Sequence, residues 1–440
     1  MTGGTQGSAS ALRKWATAPR RLARDALLRN SFFLALNAGT MAAVAFVFWL
    51  VNSHLFTVGQ IGTATTLLSG ASIIAIFSLV GFNSTFIRFL PDSRQRDDEI
   101  NTGLLIVFVT ALIGATLYVL LIPVIAPRLE LVRASFGFAA GFIVLTAFWG
   151  VNLVTDSVFI AFRKAQYNVL VDGVIQGAVK LALPALLIGL GAYAMFLASG
   201  LAAAAAVVAS IVFMFRTVSY RPRLSVSLEV LRRTWNYSAA NYAANLLLLC
   251  PAAVIPLVIL DVRGAREAGF FFMAFQVANL LFQLGFAVAA SFFAEGSYEG
   301  SDLPVLLRRT VRLIALVCVP CSVFVALTAH WILLVFGQAY SANGTSALVI
   351  LALSAPVVAL CWTAMTVLRI TKQLAAVVVV SAVYAVAIVG LALLGVRQGL
   401  QWVAVAWLAG NVAGGLLASW LAAVHYRDSR RLSDARPSQR

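Results

Sequence analysis

The chain has 440 residues, of which 61% are hydrophobic and only 11% carry a formal charge. A soluble domain needs a polar surface that this composition cannot supply, so the sequence indicates a protein that crosses a membrane many times. The formal net charge of +16 would suit nucleic acid, but the basic residues lie in short clusters between apolar runs. That pattern is typical of the control of membrane topology, so nucleic acid is not an expected partner.

The apolar runs are each long enough to cross the ~30 Å hydrocarbon core of a bilayer, which takes about 20 helical residues. We therefore predict an all-α polytopic membrane protein with twelve transmembrane helices. The runs occupy residues 31–51, 60–87, 102–126, 137–162, 168–190, 192–215, 235–260, 267–294, 309–334, 345–368, 374–395 and 400–425.

Basic residues are distributed unevenly between the two sides of these spans. Of the 32 Lys and Arg residues, 26 fall in the termini and the even-numbered loops, five fall in the odd-numbered loops, and Lys180 lies inside a span. Cytoplasmic loops carry the excess of Lys and Arg. Both termini are therefore predicted to be cytoplasmic, in a multi-pass protein of the cytoplasmic (inner) cell membrane.

The two halves of the chain superpose at an offset of 207 residues, which maps Gly62, at the start of the second span, onto Gly269, at the start of the eighth. Such a repeat predicts two six-helix lobes related by an axis along the membrane normal, with a substrate site between them near the midplane. The predicted units are a basic cytoplasmic N-terminal segment at 1–30, an N-lobe at 31–215, a cytoplasmic interlobe loop at 216–234, a C-lobe at 235–425 and a cytoplasmic tail at 426–440.

Ionisable side chains interrupt the apolar sequence of the fourth and fifth spans. Asp172, Gln176 and Lys180 recur at i, i+4 and i+8 on one helical face, and Asp156 lies in the preceding span. A lysine near the bilayer centre costs about 2.5–3.5 kcal/mol on insertion scales, so it should face a partner or a watery cavity. Two interpretations stay open: a Lys180–Asp156 pair that only fixes helix packing, or a cavity lysine that meets an anionic substrate.

Two further polar stripes lie within spans, each on one helical face. They consist of Tyr237, Asn241 and Asn245 in the seventh span and of Gln276, Asn279 and Gln283 in the eighth. Amide side chains in a membrane either join helices by hydrogen bonds or line a hydrated cavity that meets sugar hydroxyls. The sequence leaves both roles open, and it assigns Trp and Tyr near span ends only to the membrane interfaces.

Arginines at span ends and prolines inside the seventh span also have predicted roles. Arg88, Arg163 and Arg369 close spans at the predicted cytoplasmic face, where they either anchor the topology or meet an anionic head group. Pro251 and Pro256 each remove a backbone hydrogen bond from the seventh span. We predict that spans one and seven bend to open and close the cavity, with these two prolines as the hinge in span seven.

Signatures of soluble enzymes are missing from the sequence. It has no phosphate-binding glycine loop, its three histidines are far apart, and its four cysteines lie inside apolar runs. We therefore expect neither an enzyme nor a metal site nor a disulfide framework, and no cofactor beyond coupling to an ion gradient.

A set of segments in order along the chain carries a family resemblance that covers about residues 24–425. They are RDALLRNSFFLALN, FIRFLPDS, FIAFRKAQYNVL, GFFFMAFQVANLL running on to SFFAEGS, and ILLVFGQAYSANG followed by LVILALS. Together they resemble the bacterial polysaccharide (oligosaccharide) flippases. That family belongs to the multidrug/oligosaccharidyl-lipid/polysaccharide exporter superfamily, which also holds the multidrug and toxin extrusion (MATE) transporters.

The resemblance implies a MATE-like transporter that flips a polyprenyl-diphosphate-linked oligosaccharide between leaflets by alternating access, for cell-surface polysaccharide biosynthesis. The partners it implies are that lipid-linked glycan, membrane lipid, and the glycan polymerase and glycosyltransferases of the same pathway. The arginine-rich first-span signature of the related lipid II flippases is absent.

The alternative is a cation-coupled multidrug exporter of the same fold. Such an exporter would be expected to carry acidic residues deep in its lobes, where only Asp156 and Asp172 qualify. A membrane glycosyltransferase or polymerase would need a large outer loop or a clustered acidic site, and the sequence has neither.

Overall fold

The computed structural model describes residues 26–223, 225–297 and 302–434. Within these ranges some side chains are not described, among them those of residues 235–241 and 426–434. The predicted N-terminal segment up to residue 25 and the last residues of the predicted tail, from 435 onward, lie outside the described residues.

The described part of the chain contains twelve helices long and apolar enough to cross a membrane, so the protein is an all-helical multi-pass membrane protein. This confirms the predicted fold class. The helices are α1 Ala26–Leu55, α2 Val58–Ser78, α3 Arg96–Ile125, α4 Phe136–Ala161, α5 Gln166–Leu186, α6 Ala192–Val218, α7 Leu228–Arg263, α8 Ala265–Gly296, α9 Leu303–Leu334, α10 Gln338–Ile370, α11 Leu374–Gly395 and α12 Leu400–Asp434.

Polar caps determine where several of these apolar helices begin. Thr57 caps α2, because its hydroxyl accepts a hydrogen bond from the Gln60 backbone N–H while the Gln60 side chain accepts one from the Thr57 N–H at 2.9 Å. Ser135 caps α4 in the same way by accepting from the Phe138 N–H at 3.1 Å. Each cap satisfies backbone donors that have no partner within the helix.

The second predicted span is not one continuous helix. After α2 ends at Ser78, Val80 and Gly81 adopt left-handed backbone conformations with φ of 48° and 86°, and the chain resumes as the short helix Phe82–Phe89. A β-branched residue rarely adopts positive φ, so surrounding contacts must hold the break in place. An apolar Val-Gly pair carries no obvious signal for this, and the sequence analysis missed it.

Side chains from other helices satisfy the carbonyl groups that the break releases. The Tyr242 hydroxyl of α7 donates to the Ile76 carbonyl at 3.2 Å and also to the Phe77 carbonyl. Thr110 of α3 donates to the Ser78 carbonyl at 3.0 Å. The break therefore anchors α7 against α2 through polar contacts.

Helices α1–α6 pack mainly among themselves and form the N-lobe, while α7–α12 form the C-lobe. The main contact between the lobes is made by α2, which packs against both α7 and α8. We call one side of the molecule the basic face: Arg88 and Arg369 lie there at the ends of their helices, and Lys164 lies there just after α4. The other side is the opposite face.

Candidate functional site

A cavity of about 630 Å³ lies between the two lobes. The N-lobe contributes residues of α1, α2, α4 and α5, and the C-lobe contributes residues of α7, α8, α10, α11 and α12. This is the region where the repeat predicted a substrate site.

The polar lining of this central cavity has no acidic member among the described residues. Two of the predicted polar features lie in it: the lysine of α5, and the complete amide stripe of α8. Hydroxyl groups of α2 add donors and acceptors that the sequence analysis did not single out. The polar lining consists of Thr65, Ser69, Ser72, Lys180, Gln276, Asn279 and Gln283.

Aromatic rings form most of the rest of the wall. Ring pairs are in contact on both sides of it: Trp49 with Phe272 at 4.5 Å between centroids, and Trp407 with Phe275 at 4.9 Å. The sequence alone did not predict a site role for these aromatic residues, because a tryptophan in an apolar helix has the same pattern whether it faces lipid, core or cavity. The aromatic lining consists of Trp49, Trp149, Phe271, Phe272, Phe275, Phe282, Phe286, Trp362, Tyr384 and Trp407.

Lys180 is half-buried, and its ammonium lies over the ring of the fully buried Phe48 of α1, 4.8 Å from the ring centroid. Among the side chains that the structure describes, no carboxylate lies within ion-pair distance of it. The Lys180–Asp156 pair that the sequence left open is therefore not formed here, because the lysine stem points to α1 and the cavity rather than to α4. The contact with an aromatic face partly offsets the cost of desolvating the cation.

Asp156 and Asp172 pair with each other instead. The Asn152 amide bonds to both carboxyl groups and so places them next to each other. The Asn152 amide donates to Asp172 at 3.2 Å and to Asp156 at 3.5 Å, and the Asn37 amide of α1 donates to the other Asp172 oxygen at 3.5 Å. We call these four residues the N-lobe acidic cluster. Asp172 is buried and Asp156 is half-buried, and repulsion between two neighbouring carboxylates in such a place favours a shared proton.

A family model described as "Polysaccharide biosynthesis protein" matches residues 54–343. The chain belongs to this family. The predicted resemblance is thereby confirmed, and the match covers the cavity-lining residues from Thr65 of α2 to Phe286 of α8.

Solved structures show which fold this family member has. It is similar to an inward-facing multidrug resistance MATE transporter of the MOP superfamily, with a TM-score of 0.69 and 15% identity over 89% of this chain and 95% of that chain. An outward-facing multidrug resistance MATE transporter is similar with a TM-score of 0.62 and 15% identity, over 92% of this chain and 96% of that chain. The chain is also similar to a MOP superfamily transporter from Pyrococcus furiosus, which is described as having a binding pocket of reversed polarity. The TM-score is 0.62 and the identity 15%, over 91% of this chain and 95% of that chain. The predicted MATE-like fold is confirmed.

No curated protein sequence matches this member of the polysaccharide biosynthesis protein family.

The remaining predicted site residues lie outside the lining of the central cavity. Gln176 is half-buried, and its side-chain oxygen has no hydrogen-bond partner among the described residues. Arg369, at the end of α10, donates to the Asn245 side chain at 3.3 Å, which joins two predicted residues at the basic face. Arg88 is exposed on the short helix after α2, and the side chain of Asn241 lies outside the described residues.

The two predicted hinge prolines lie inside α7, which continues through both. Pro256 lines the cavity, and its carbonyl accepts a hydrogen bond from Thr66 of α2 at 3.4 Å. Toward the opposite face, Arg128 donates to the Leu260 carbonyl of α7 at 3.3 Å. The end of α7 is therefore held against the N-lobe on that side.

Proposed function

We propose that this protein moves a polyprenyl-diphosphate-linked oligosaccharide across the cytoplasmic membrane by alternating access, for cell-surface polysaccharide biosynthesis. The observation that carries the proposal is the chemistry of the central cavity. Its lining combines one unpaired lysine with amides, hydroxyls and aromatic rings, and among the described residues it has no carboxylate.

Each part of such a substrate has a matching surface in the cavity. Lys180 offers a cation to the diphosphate, and desolvation makes that interaction stronger than it would be in water. Gln276, Asn279 and Gln283 present amides to sugar hydroxyls, and the flat faces of Trp407 and Trp362 suit the apolar faces of sugar rings. The lipid tail would stay in the membrane throughout.

The same lining disfavours the alternative of a multidrug exporter for organic cations. A cationic drug in this cavity would meet the Lys180 ammonium, and no carboxylate in the described lining would offset the repulsion. Asp156 and Asp172 lie in a separate cluster, where they are hydrogen-bonded to amides.

The proposed orientation follows the distribution of charge, with the basic face and both termini in the cytoplasm and the protein in the inner membrane. A substrate made in the cytoplasm would then enter from the basic face. The glycosyltransferases that build the glycan would supply it there, and a glycan polymerase would receive it on the other side.

We further propose that proton movement through the N-lobe acidic cluster drives transport. The Asn37 contact ties this cluster to α1, and α1 also carries Phe48 and Trp49, which touch Lys180 and line the cavity. A change in the charge of Asp172 would therefore be transmitted to the cavity through α1.

The proposal is tested with purified protein in vesicles that contain a fluorescent lipid-linked oligosaccharide. Protein-dependent exposure of the glycan to a membrane-impermeant glycosidase is the expected result, and vesicles that contain a series of hydrophobic cations should show no protein-dependent transport. Transport of the cations without movement of the glycan would contradict the proposed function and favour the drug exporter.

A further inference from the structure

A second cavity, of about 530 Å³, lies in a groove on the outer surface of the C-lobe between α9, α10 and α12. We call it the C-lobe groove. Leu307 of α9, Leu360 of α10 and Leu416 of α12 line it, and each is more than a third exposed. In a spanning protein such a surface faces the hydrocarbon of the bilayer, so the groove is open to lipid chains.

The groove is confined to one half of the membrane. It runs along α10 from Val357, near the middle of the helix, to Val367, near its end at the basic face, about 15 Å at 1.5 Å per residue. That length is about half of the ~30 Å hydrocarbon core, which is one leaflet. Small residues of α12, among them Gly415 and Ser419, leave the room for a chain.

One helix separates this groove from the central cavity. On α10, Val358 and Trp362 face the cavity, while Cys361 and Ala364 face the groove. A molecule with its tail in the groove therefore reaches the cavity most directly around the end of α10 at the basic face.

Arg369 lies at that end, two residues beyond the last groove-lining residue of α10. One of its terminal nitrogens donates to Asn245 of α7, while its buried Nε has no hydrogen-bond partner among the described residues. A guanidinium with an unused donor is suited to a phosphate group, which it can bind through two parallel hydrogen bonds. Arg308 and Arg312 are exposed on α9 at the same face and add positive charge beside the groove.

We propose that the C-lobe groove holds the polyprenyl chain of the transported lipid and that Arg369 receives its diphosphate before the head group enters the central cavity. This rests on the proposed function and names the place of the tail. A phospholipid chain would match the apolar lining equally well. However, only a lipid whose diphosphate passes into the protein reaches the Nε of Arg369 at the end of α10, which is buried and has no partner in the described part of the chain.

Inside a bilayer the lipid chain is already out of water, so the hydrophobic effect adds nothing to its binding in the groove. The binding free energy comes from close packing and from the positive charge beside the groove. The expected effect of filling the groove is therefore modest. Ser419→Trp is the variant of choice because Ser419 is exposed and lines the groove. Thr116→Trp, at an exposed position in the middle of α3, is the matched control.

Binding is measured for two ligands with the same diphosphate-linked glycan, one on a full-length polyprenyl chain and one on a short prenyl chain. Ser419→Trp should weaken binding of the long-chain ligand about fivefold and leave the short-chain ligand unchanged, because only the long chain reaches along the groove. Thr116→Trp should change neither. Equal effects on both ligands, or no effect on the long-chain ligand, would overturn the groove assignment.

A photoreactive diazirine on the polyprenyl chain tests the occupant directly. It should label peptides of α10 and α12, and excess unlabelled polyprenyl diphosphate should abolish the labelling while excess phospholipid does not. Equal competition by phospholipid would reject the proposal. Rejection here would leave the proposed function intact as long as the short-chain ligand still binds the wild-type protein and is transported.

Discussion

Gly62 of α2 and Gly269 of α8 touch across the boundary between the lobes, and they are the two residues that the 207-residue repeat superposes. A Cβ atom placed on Gly62 would lie 1.7 Å from the Ala265 carbonyl oxygen and 2.7 Å from the Gly269 nitrogen. The equivalent glycines thus let the two lobes meet backbone to backbone near the opposite face. No other residue type allows this approach.

Replacing Gly62 by Val should therefore force the lobes apart at the opposite face. In a variant whose native cysteines are replaced and Ser69 in the cavity is changed to Cys, a membrane-impermeant thiol reagent added from that face should react faster when Gly62→Val is present. Gly390→Ala is the control, because nothing lies within 4 Å of a Cβ at Gly390. Unchanged labelling in Gly62→Val would show that this contact does not close the cavity.

The N-lobe acidic cluster predicts a specific role for Asp172. Asp172→Asn keeps the shape of the side chain but replaces one acceptor oxygen with an NH2 donor and removes the ability to exchange a proton. The Asn37 Oδ1, unpaired among the described residues, can accept from the new NH2 group once the Asn37 amide turns over, so the protein should fold normally and lose its response to a proton gradient. Transport into vesicles with and without an imposed pH gradient measures this. Asp261→Asn at the far end of α7, outside the cluster, should respond like the wild type.

The hinge prediction concerns Pro251 and Pro256 in α7. Changing both to Ala restores the missing backbone donors and should stiffen the helix, which slows transport while the protein level stays the same. The comparison is Pro123→Ala, another proline within a helix, in the exposed part of α3. If the double variant transports at the wild-type rate, α7 does not bend at these prolines.

The loop that joins the lobes is bound to the start of α3 through Asn101. Its side-chain oxygen accepts hydrogen bonds from the Tyr220 hydroxyl at 2.6 Å and from the Arg223 N–H at 3.0 Å. Tyr220→Phe removes the first of these and should lower the free energy of unfolding by about 1 kcal/mol at neutral pH. Thermal unfolding in detergent measures the loss.

The same bond has a pH dependence. Burial, together with the nearby Asp97 carboxylate, raises the pKa of Tyr220 to about 12, whereas an unfolded tyrosine has a pKa of about 10. The Tyr220 hydroxyl therefore stabilises the folded state fully below about pH 10, and this stabilisation is lost as the pH rises towards 12. The difference in melting temperature between wild type and Tyr220→Phe should shrink over that interval, and a constant difference would argue against the hydroxyl as its source.

The twelve spans and the repeat could be predicted from the sequence, because a bilayer demands long apolar helices and leaves little freedom in their number. The amide stripe of α8 was also visible, since Gln276, Asn279 and Gln283 share one face whatever surrounds them. For Lys180 the sequence left two interpretations open, and a cavity position was one of them. An isolated charge in an apolar run indicates that the side chain needs a partner or water, but it does not identify that partner.

Features set by tertiary contacts were not visible. The break in α2 at Val80 exists because Tyr242 and Thr110 satisfy the released carbonyls from other helices. Likewise Asp156 and Asp172 lie next to each other, and not next to Lys180, because Asn152 bonds to both of them. The residues that decide these contacts lie far apart in the sequence and follow no single period.

The most direct test of the account is the affinity of the short-chain diphosphate-linked glycan for Lys180→Met, with Lys180→Arg as the charge-conserving control. Loss of a charge-assisted contact should weaken binding about tenfold to a hundredfold, while the melting temperature stays near that of the wild type, because no paired carboxylate is left behind. Lys180→Arg should retain most of the affinity. The account predicts that adding Asp156→Asn to Lys180→Met does not restore binding or export. Wild-type binding and export by that double variant would contradict the assignment of Lys180 to the substrate.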